Sequence, residues 1–545
     1  MARPRPSYRE VLDRFQWNDV LDELGWIGQT RLNLGTTIVD RHASGPGGGR
    51  TALICIGQDG TERRVSFREL SEQSARFANV LTRMGVKKGD RVAALMPRVP
   101  QTLAIILGVL KVGAVYVPIF AGFGPDAVRY RLQHSGARLL CTTDEQRALV
   151  PDDVGVSTIC LVRSGARAGA DDFDFDAELE RASPFFEPAP CRRDEPAVII
   201  YTSGSTGQPK GCVIASNLLA AVWPYLRYGL DLQADDIFWP TGDPGWGYGL
   251  CCYLPALAAG VTVVSVEANP RPELCIGILR AYAVTNLATT PTVLRSLMAS
   301  EPARLAGMRG HLRAISSCGE PLNGEVVEFF QRAWTVTPMD HYGATECGLP
   351  IGNYNGIAMD VKAGSMGLPG PGYCMAVVDE EGRQLPPGEV GLIGQKTDAN
   401  SRYWLRYWND DAASAGLNRG GWACTGDLAR RDADGYFWFE GRSDDIIKSS
   451  GYRIGPFEIE SAILRHPAVV EVAVIGKPDP LRGQIVKAFV VLKPGTDRSQ
   501  DLADDIANQV KTTLGRHQYP REIEFTDALP KTQTGKIQRF LLRQS

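Results

Sequence analysis

Between Thr202 and Lys210 the chain sets four hydroxyl side chains, Thr202, Ser203, Ser205 and Thr206, among the glycines Gly204 and Gly207, and closes with Lys210 and Gly211. Glycines let backbone N–H groups turn toward an anion, hydroxyls add donors, and the ammonium adds charge, so this set suits a polyphosphate. The order is not that of a Walker A loop: Pro209 stands five residues after Gly204, and Lys210 is followed by Gly211 in place of Ser or Thr. A P-loop NTPase is excluded on that order, and a different phosphate-holding loop remains. The apolar, β-branched run 197–201 just before it reads as a buried strand.

The segment TSGSTGQPKG resembles the phosphate-binding signature of the adenylate-forming superfamily, which includes acyl-CoA synthetases, amino-acid adenylation domains and luciferases. Matching motifs follow in order from about Asn33 to the C-terminus. The resemblance implies that Gly319, Glu320 and Pro321 of SSCGEPL form one wall of an adenine slot, completed by Asp340, His341, Tyr342 and Gly343 of DHYGATE. The residue types agree: Tyr342 offers a ring face to a purine, Thr345 a donor to the α-phosphate, and Glu346 an oxygen ligand for Mg²⁺, a hard ion. Asp427 of WACTGD brings an acceptor-only carboxylate suited to two ribose hydroxyls, with Arg442 of GRSDD as a second ribose or phosphate contact.

Lys536, in PKTQTGKIQR, matches the superfamily's catalytic lysine. An ammonium on a four-carbon stem can reach the α-phosphate and a substrate carboxylate together, offsetting charge as the pentavalent transition state develops. In KSSGYRIGPFEIE the resemblance assigns Ser450 and Gly451 to a narrow tunnel for the pantetheine arm of coenzyme A, Tyr452 to its flank, and Arg453 to the AMP phosphate. Arg482 of DPLRG resembles a CoA-contacting arginine, and Asp444 is the implied hinge about which a C-terminal domain turns between two half-reactions. Acetylation of Lys536 by a lysine acetyltransferase is a further implication, since it would remove the charge the first step needs.

The acid is written less clearly. TGDPGWG at 241–247 resembles the D-x-G-W motif of acetyl- and medium-chain acyl-CoA synthetases, which makes Trp246 one wall of the acyl pocket. Gly343 stands where the acetate branch carries a tryptophan, so an open pocket floor is expected there, each further buried CH₂ being worth about 0.8 kcal/mol. AGFGPDAV at 121–128 resembles the acetyl and propionyl branch, so the two clues disagree on length.

These residues need a scaffold. Strand-like VAALM at 92–96, a helical run at 101–110 and strand-like AVYVPI at 114–119 form the alternation of βαβ units, and the rhythm recurs from 197 to 339. The predicted fold is α/β: a large N-terminal domain, 1–441, of layered, mostly parallel sheets and helices, with 1–35 as an extension. A small mobile α+β domain, 442–545, follows, with strands VVEVAVIG at 469–476 and IVKAFVVL at 485–492 and a hinge near Asp444. SGPGGGR at 44–50 and RSGARAGADDFDFD at 163–176 read as surface loops.

The 545 residues call for more than one core. Lys and Arg total 59 against 62 Asp and Glu, a formal net charge of -3, which argues against a dedicated nucleic-acid binder. The 12 cysteines show no C-x-x-C spacing and are expected as reduced, mostly buried thiols of a cytoplasmic protein. The N-terminus has no apolar segment of a secretory signal. The apolar stretch 103–120 contains Gly108, Lys111, Gly113 and Pro118 and reads as a buried helix then strand, with no integral membrane association.

The function implied is an acyl-CoA synthetase that takes ATP, Mg²⁺, coenzyme A and a short- to medium-chain carboxylic acid. An aryl-CoA ligase acting on benzoate-like acids is the alternative. An amino-acid adenylating module is disfavoured because the chain ends nine residues past Lys536 with no carrier domain. A catalytically inactive homologue would be expected to lose Lys210, Glu346 or Lys536, and all are present.

Overall fold

A computed structural model describes the chain except residues 1–3, 164–171, 203–207, 301–306, 309, 311, 444, 446, 450, 451, 481, 515–517, 532–536 and 545, with backbone alone at 448, 452, 453 and 540. The chain gathers into two compact units: 1–363, 367–374 and 397–416 in the first, and 364–366, 375–396 and 417–545 in the second.

The first unit is built on two sheets. One runs in the order Trp404–Tyr407, Lys210–Ala215, Pro196–Thr202, Val115–Ile119, Arg91–Leu95, Leu139–Thr143, Ser157–Leu161 and Phe173–Asp174. From Pro196–Thr202 onward its pairs are parallel, as βαβ crossovers require. The helix Pro100–Val112 supplies one crossover; it starts on Pro100, ends at Gly113 in the left-handed region, and is buried along almost its whole length. Lys111 sits in this apolar run because its Nζ lies 2.7 Å from Asp40 Oδ1 and 3.0 Å from Ser71 O. The stretch 103–120 is thus a core helix and strand, and no helix among the described residues is long and apolar enough to cross a membrane.

At its other edge the same sheet turns antiparallel, pairing Pro196–Thr202 with Lys210–Ala215 and that strand with Trp404–Tyr407. The strands on either side of 203–209 are therefore antiparallel partners, with Thr202 opposite Lys210 and Tyr201 opposite Gly211. Gly211 cannot carry a side chain freely, since a Cβ there would lie 3.0 Å from Ile199 Cγ2 and 3.3 Å from Trp408 Cβ.

The second sheet has nine strands, ordered Leu368–Pro369, Gly348–Gly352, Pro338–Ala344, Ala314–Cys318, Asn286–Thr289, Ile237–Pro240, Thr262–Val266, Thr51–Ile56 and Glu62–Ser66. Pairs from Pro338–Ala344 through Thr51–Ile56 are parallel. The segments holding Trp246, Gly319 and Thr345 all follow the carboxyl ends of parallel strands, where open α/β sheets hold ligands. The extension 1–35 is tied into this unit: Tyr8 Oη donates to Pro369 O at 2.7 Å, and Asn33 Nδ2 reaches Leu110 O, Lys111 O and Ala189 O at 2.9–3.0 Å.

The segment 44–50 is the surface loop expected, exposed except around 47–48, whereas 163–176 differs in part. Pro46–Gly49 is a 3₁₀ turn with Gly48 buried against Ala43 O. In 163–176, the described part holds an edge strand at Phe173–Asp174, and Phe175, only 1% exposed, stacks on Phe77 at 5.6 Å. The acidic residues around Phe175 mask an apolar anchor.

In the second unit, Cys374–Val378, Val390–Lys396, Trp422–Arg431 and Asn418–Arg419 form one sheet, with Phe437–Arg442 beside Trp422–Arg431. A further sheet, Tyr452–Ile454, Ile447–Ser449, Gly483–Leu492 and Val469–Asp479 with Glu522–Phe525 alongside, carries the helices Pro456–Leu464 and Gln500–Thr513 on an apolar cluster drawn from 447–525 alone. That is the α+β arrangement read from the sequence. Residues 375–396 and 417–441 group with it by contact, although the first of these sheets has its own small core of Ala376, Val378, Leu392, Trp422, Cys424 and Leu428.

Candidate active site

The hairpin carries Lys210 and Cys212 two residues apart on one strand, so both project from the same face. Tyr407 lies opposite Cys212 on the adjoining strand. Its hydroxyl donates to Glu346 Oε1 at 2.8 Å, and the Lys210 ammonium lies 5.1 Å from its ring centroid. Cys212 Sγ donates to the same Oε1 at 3.4 Å; burial, then the neighbouring carboxylate, hold this thiol well above its ordinary pKa, so it keeps its proton. Thr202 Oγ1 closes the hairpin stem at 3.5 Å from Lys210 O. Ser203, Gly204, Ser205, Thr206 and Gly207 lie outside the described residues.

Glu346 is a hard oxygen donor with one oxygen engaged by two donors, and it fits Mg²⁺. Among the described residues no group of three or more His, Cys, Asp or Glu could hold a metal alone. Mg²⁺ on a nucleotide needs no such cage, because one carboxylate, phosphate oxygens and waters complete its octahedron.

Thr345, one residue earlier, lies beside the start of the helix Gly247–Ala258: a Cβ at Gly247 would be 3.8 Å from both Thr345 Oγ1 and Ile200 Cδ1. Trp246 caps that helix, half-buried, and its indole lies against Gly319, whose φ is +102°. The loop ahead of Trp246 is pinned by Asp243, which accepts from Gly245 N at 2.7 Å and faces Arg98 Nε at 3.8 Å. Burial raises the Asp243 pKa against the opposing pull of Arg98. The structure thus brings Thr345, Trp246 and Gly319 into one neighbourhood of the first unit.

Other expected contacts change character. Glu320 is held by Arg295 at 2.6 Å and by Thr292 Oγ1 at 2.8 Å, so its carboxylate is engaged within the unit, while Pro321 beside it is half-buried. His341 points into the core, 2% exposed, with its ring 4.9 Å from that of Tyr225 and 6.2 Å from that of Tyr354. Burial pushes its pKa down to about 3, so the imidazole is neutral. Asp340, also buried, accepts weakly from Leu322 N at 3.5 Å, and burial drives its pKa far up. Tyr342 is 8% exposed.

Gly343 contradicts the open floor expected of it. A Cβ there would lie 2.3 Å from Gly348 O and 2.7 Å from Leu349 Cδ2. The missing side chain makes room for the returning strand, not for a substrate.

In the second unit Asp427 and Arg442 are cross-strand partners, with Arg442 Nη1 3.3 Å from Asp427 Oδ1 and Thr425 Oγ1 3.4 Å from Asp427 Oδ2. Tyr452 and Arg453 lie on the strand Tyr452–Ile454, paired with Ile447–Ser449. Arg482 is exposed in a turn closed by its N–H to Asp479 Oδ1 at 2.8 Å. Asp444, Ser450, Gly451 and Lys536 lie outside the described residues. All 12 cysteines are free thiols and only Cys374 is exposed.

Tyr407, Cys212 and Asp243 were not singled out by spacing. Asp243 stood inside a recognised motif, but Tyr407 and Cys212 are joined only by strand pairing.

Known proteins resemble the chain over most of its length. The AMP-binding enzyme model matches residues 39–402, and the model of the AMP-binding enzyme C-terminal domain matches 458–536. An acetyl-coenzyme A synthetase of Bacillus subtilis (strain 168) is 37% identical across 98% of this chain and 94% of its own. The crystal structure of a Brucella canis acyl-CoA synthetase superposes with a TM-score of 0.79 at 39% identity, covering 99% of this chain and 98% of that one. A benzoate CoA ligase from Burkholderia xenovorans LB400 gives 0.83 at 29% identity over 94% of this chain and 100% of its own. The chain belongs to the AMP-binding enzyme family and, within the adenylate-forming superfamily, to its acyl-CoA synthetases.

Proposed function

We propose that this synthetase activates a short- to medium-chain carboxylic acid in the cytoplasm. A carboxylate oxygen attacks the α-phosphorus of ATP, the bond to the β-phosphate breaks, and acyl-AMP and pyrophosphate form. The thiol of coenzyme A then attacks the acyl carbon and AMP leaves. The observation that carries this reading is the grouping of Lys210, Tyr407 and Glu346 at the hairpin, with Thr345 and Trp246 in the same unit.

Lys210, Thr202 and the loop 203–207 hold the departing pyrophosphate, and Thr345 donates to the α-phosphate. Glu346 holds Mg²⁺, which when bound offsets charge on the phosphates. Gly319, Pro321, Tyr342 and the backbone at 340–343 flank the adenine, while Asp427 and Arg442 take the ribose. Lys536 supplies positive charge to the first step and is a site for a lysine acetyltransferase. Ser450, Gly451, Tyr452 and Arg482 serve coenzyme A, Arg453 the AMP phosphate, and residues 442–545 turn about Asp444 between the steps.

An acid of several carbons rests on Trp246 as an apolar wall, since the Gly343 side is filled. The likeness to a benzoate CoA ligase favours an aromatic acid as the second reading. Pyrophosphate release measured over a panel of aliphatic and benzoate-like acids, with and without coenzyme A, tests both. Release with aliphatic acids of more than two carbons is expected, and silence with every acid would refute the activity.

A further inference from the structure

We propose that Tyr407 is a positioning residue that presets the Glu346 carboxylate for the Mg²⁺ of the bound nucleotide, engaging Oε1 and leaving Oε2 to the ion. This rests on Glu346 being the metal ligand. Three observations support it. The phenol at 2.8 Å and the Cys212 thiol at 3.4 Å both end on Oε1, and among the described residues neither they nor any other donor reaches Oε2. The two donors come from adjacent strands at one register position, Tyr407 opposite Cys212, so the sheet sets the neighbouring backbone positions from which both side chains extend. Finally, the face of the same ring lies under the Lys210 ammonium.

A lysine and a glutamate at one phosphate site would otherwise be drawn into a direct ion pair that blunts both. Here, among the described residues, the cation meets the ring face and the anion meets the hydroxyl, so each charge is held without cancelling the other. Groups that orient a metal-binding carboxylate contribute substantially to metal affinity, because the ligand's freedom is restricted before the ion arrives.

The test is Mn²⁺ binding followed by electron paramagnetic resonance on the full chain with α,β-methylene-ATP, in wild type, Tyr407→Phe, Cys212→Ala and Glu346→Gln, with AMP affinity measured beside it. Tyr407→Phe keeps the ring and should weaken Mn²⁺ binding about 10-fold with AMP affinity unchanged, Cys212→Ala less. It should also raise the Mg²⁺ concentration that half-activates adenylation, with kcat restored at saturating Mg²⁺. Wild-type Mn²⁺ affinity in Tyr407→Phe, alongside weakened binding in Glu346→Gln, would overturn the positioning role and leave Glu346 as ligand. Unaltered affinity in both variants would instead remove Glu346 from the metal site, and the proposal with it. Equal loss of AMP and Mn²⁺ binding in Tyr407→Phe would mark a merely structural role and also overturn it.

Discussion

Gly319 lies flush against Trp246: a Cβ on the glycine would stand 3.0 Å from indole Cη2 and 3.4 Å from Cζ2. The residue just past the strand Ala314–Cys318, in the motif proposed for adenine, therefore lies against the ring proposed as the acid's wall, so the two proposed subsites share a surface. Gly319→Ala should disturb both. Its φ of +102° is one that L-residues rarely adopt, at a strain of about 1–3 kcal/mol, and the new methyl must displace the indole. Steady-state kinetics should show kcat/KM falling about tenfold for ATP and for acid together, roughly 1.4 kcal/mol each. A loss confined to one substrate would separate the subsites.

Gly343→Trp is the substitution that resemblance to the acetate branch suggests for narrowing the pocket. In this geometry the Cβ alone meets Gly348 O at 2.3 Å, so overpacking should cost about 1–3 kcal/mol before any ring enters the pocket. Thermal unfolding should register a lower Tm without a clean shift of the acid profile toward acetate. A variant of unchanged Tm that prefers acetate would show that the turn at 344–348 yields easily.

The contrast between Gly319 and Gly343 marks what was legible in the sequence. Motif order, strand positions and the α/β class follow from local composition and periodicity, and the helix and strand at 103–120 are a clear instance. Which face a strand residue takes depends on register, so the inward turn of His341 and the filled space at Gly343 were not readable. Tyr407 reaches Glu346 only through an antiparallel pairing between distant segments, which no local pattern announces. Phe175 was hidden by its acidic neighbours.

Lys536→Ala should separate the half-reactions. If its ammonium serves only the attack on the α-phosphorus, pyrophosphate–ATP exchange should fall by at least about a hundredfold, near 2.7 kcal/mol. CoA transfer from supplied acyl-adenylate should remain within severalfold of wild type. Single-turnover assays of each step measure this, and equal loss in both would count against a lysine used in the first step alone.

Glu440 predicts a pH dependence of stability in the second unit. The residue is 7% exposed and its carboxylate accepts from Arg430 Nε at 2.8 Å, yet burial, then the Glu458 carboxylate, raises its pKa from an ordinary 4.5 to about 7. A raised carboxyl pKa means the folded state holds a proton that the unfolded state releases. The stabilisation relative to the ionised form is thus complete below about 4.5 and is lost as pH rises through 7. Glu440→Gln keeps the shape and removes the charge, so its advantage in Tm over wild type should grow from pH 5 to pH 8 and then level off. The unfolding free energy should differ by about 1–3 kcal/mol at pH 8, partly offset by the weaker bond to Arg430. Parallel Tm curves for the two proteins across that range would mean that Glu440 is ionised throughout, its charge fully balanced by Arg430.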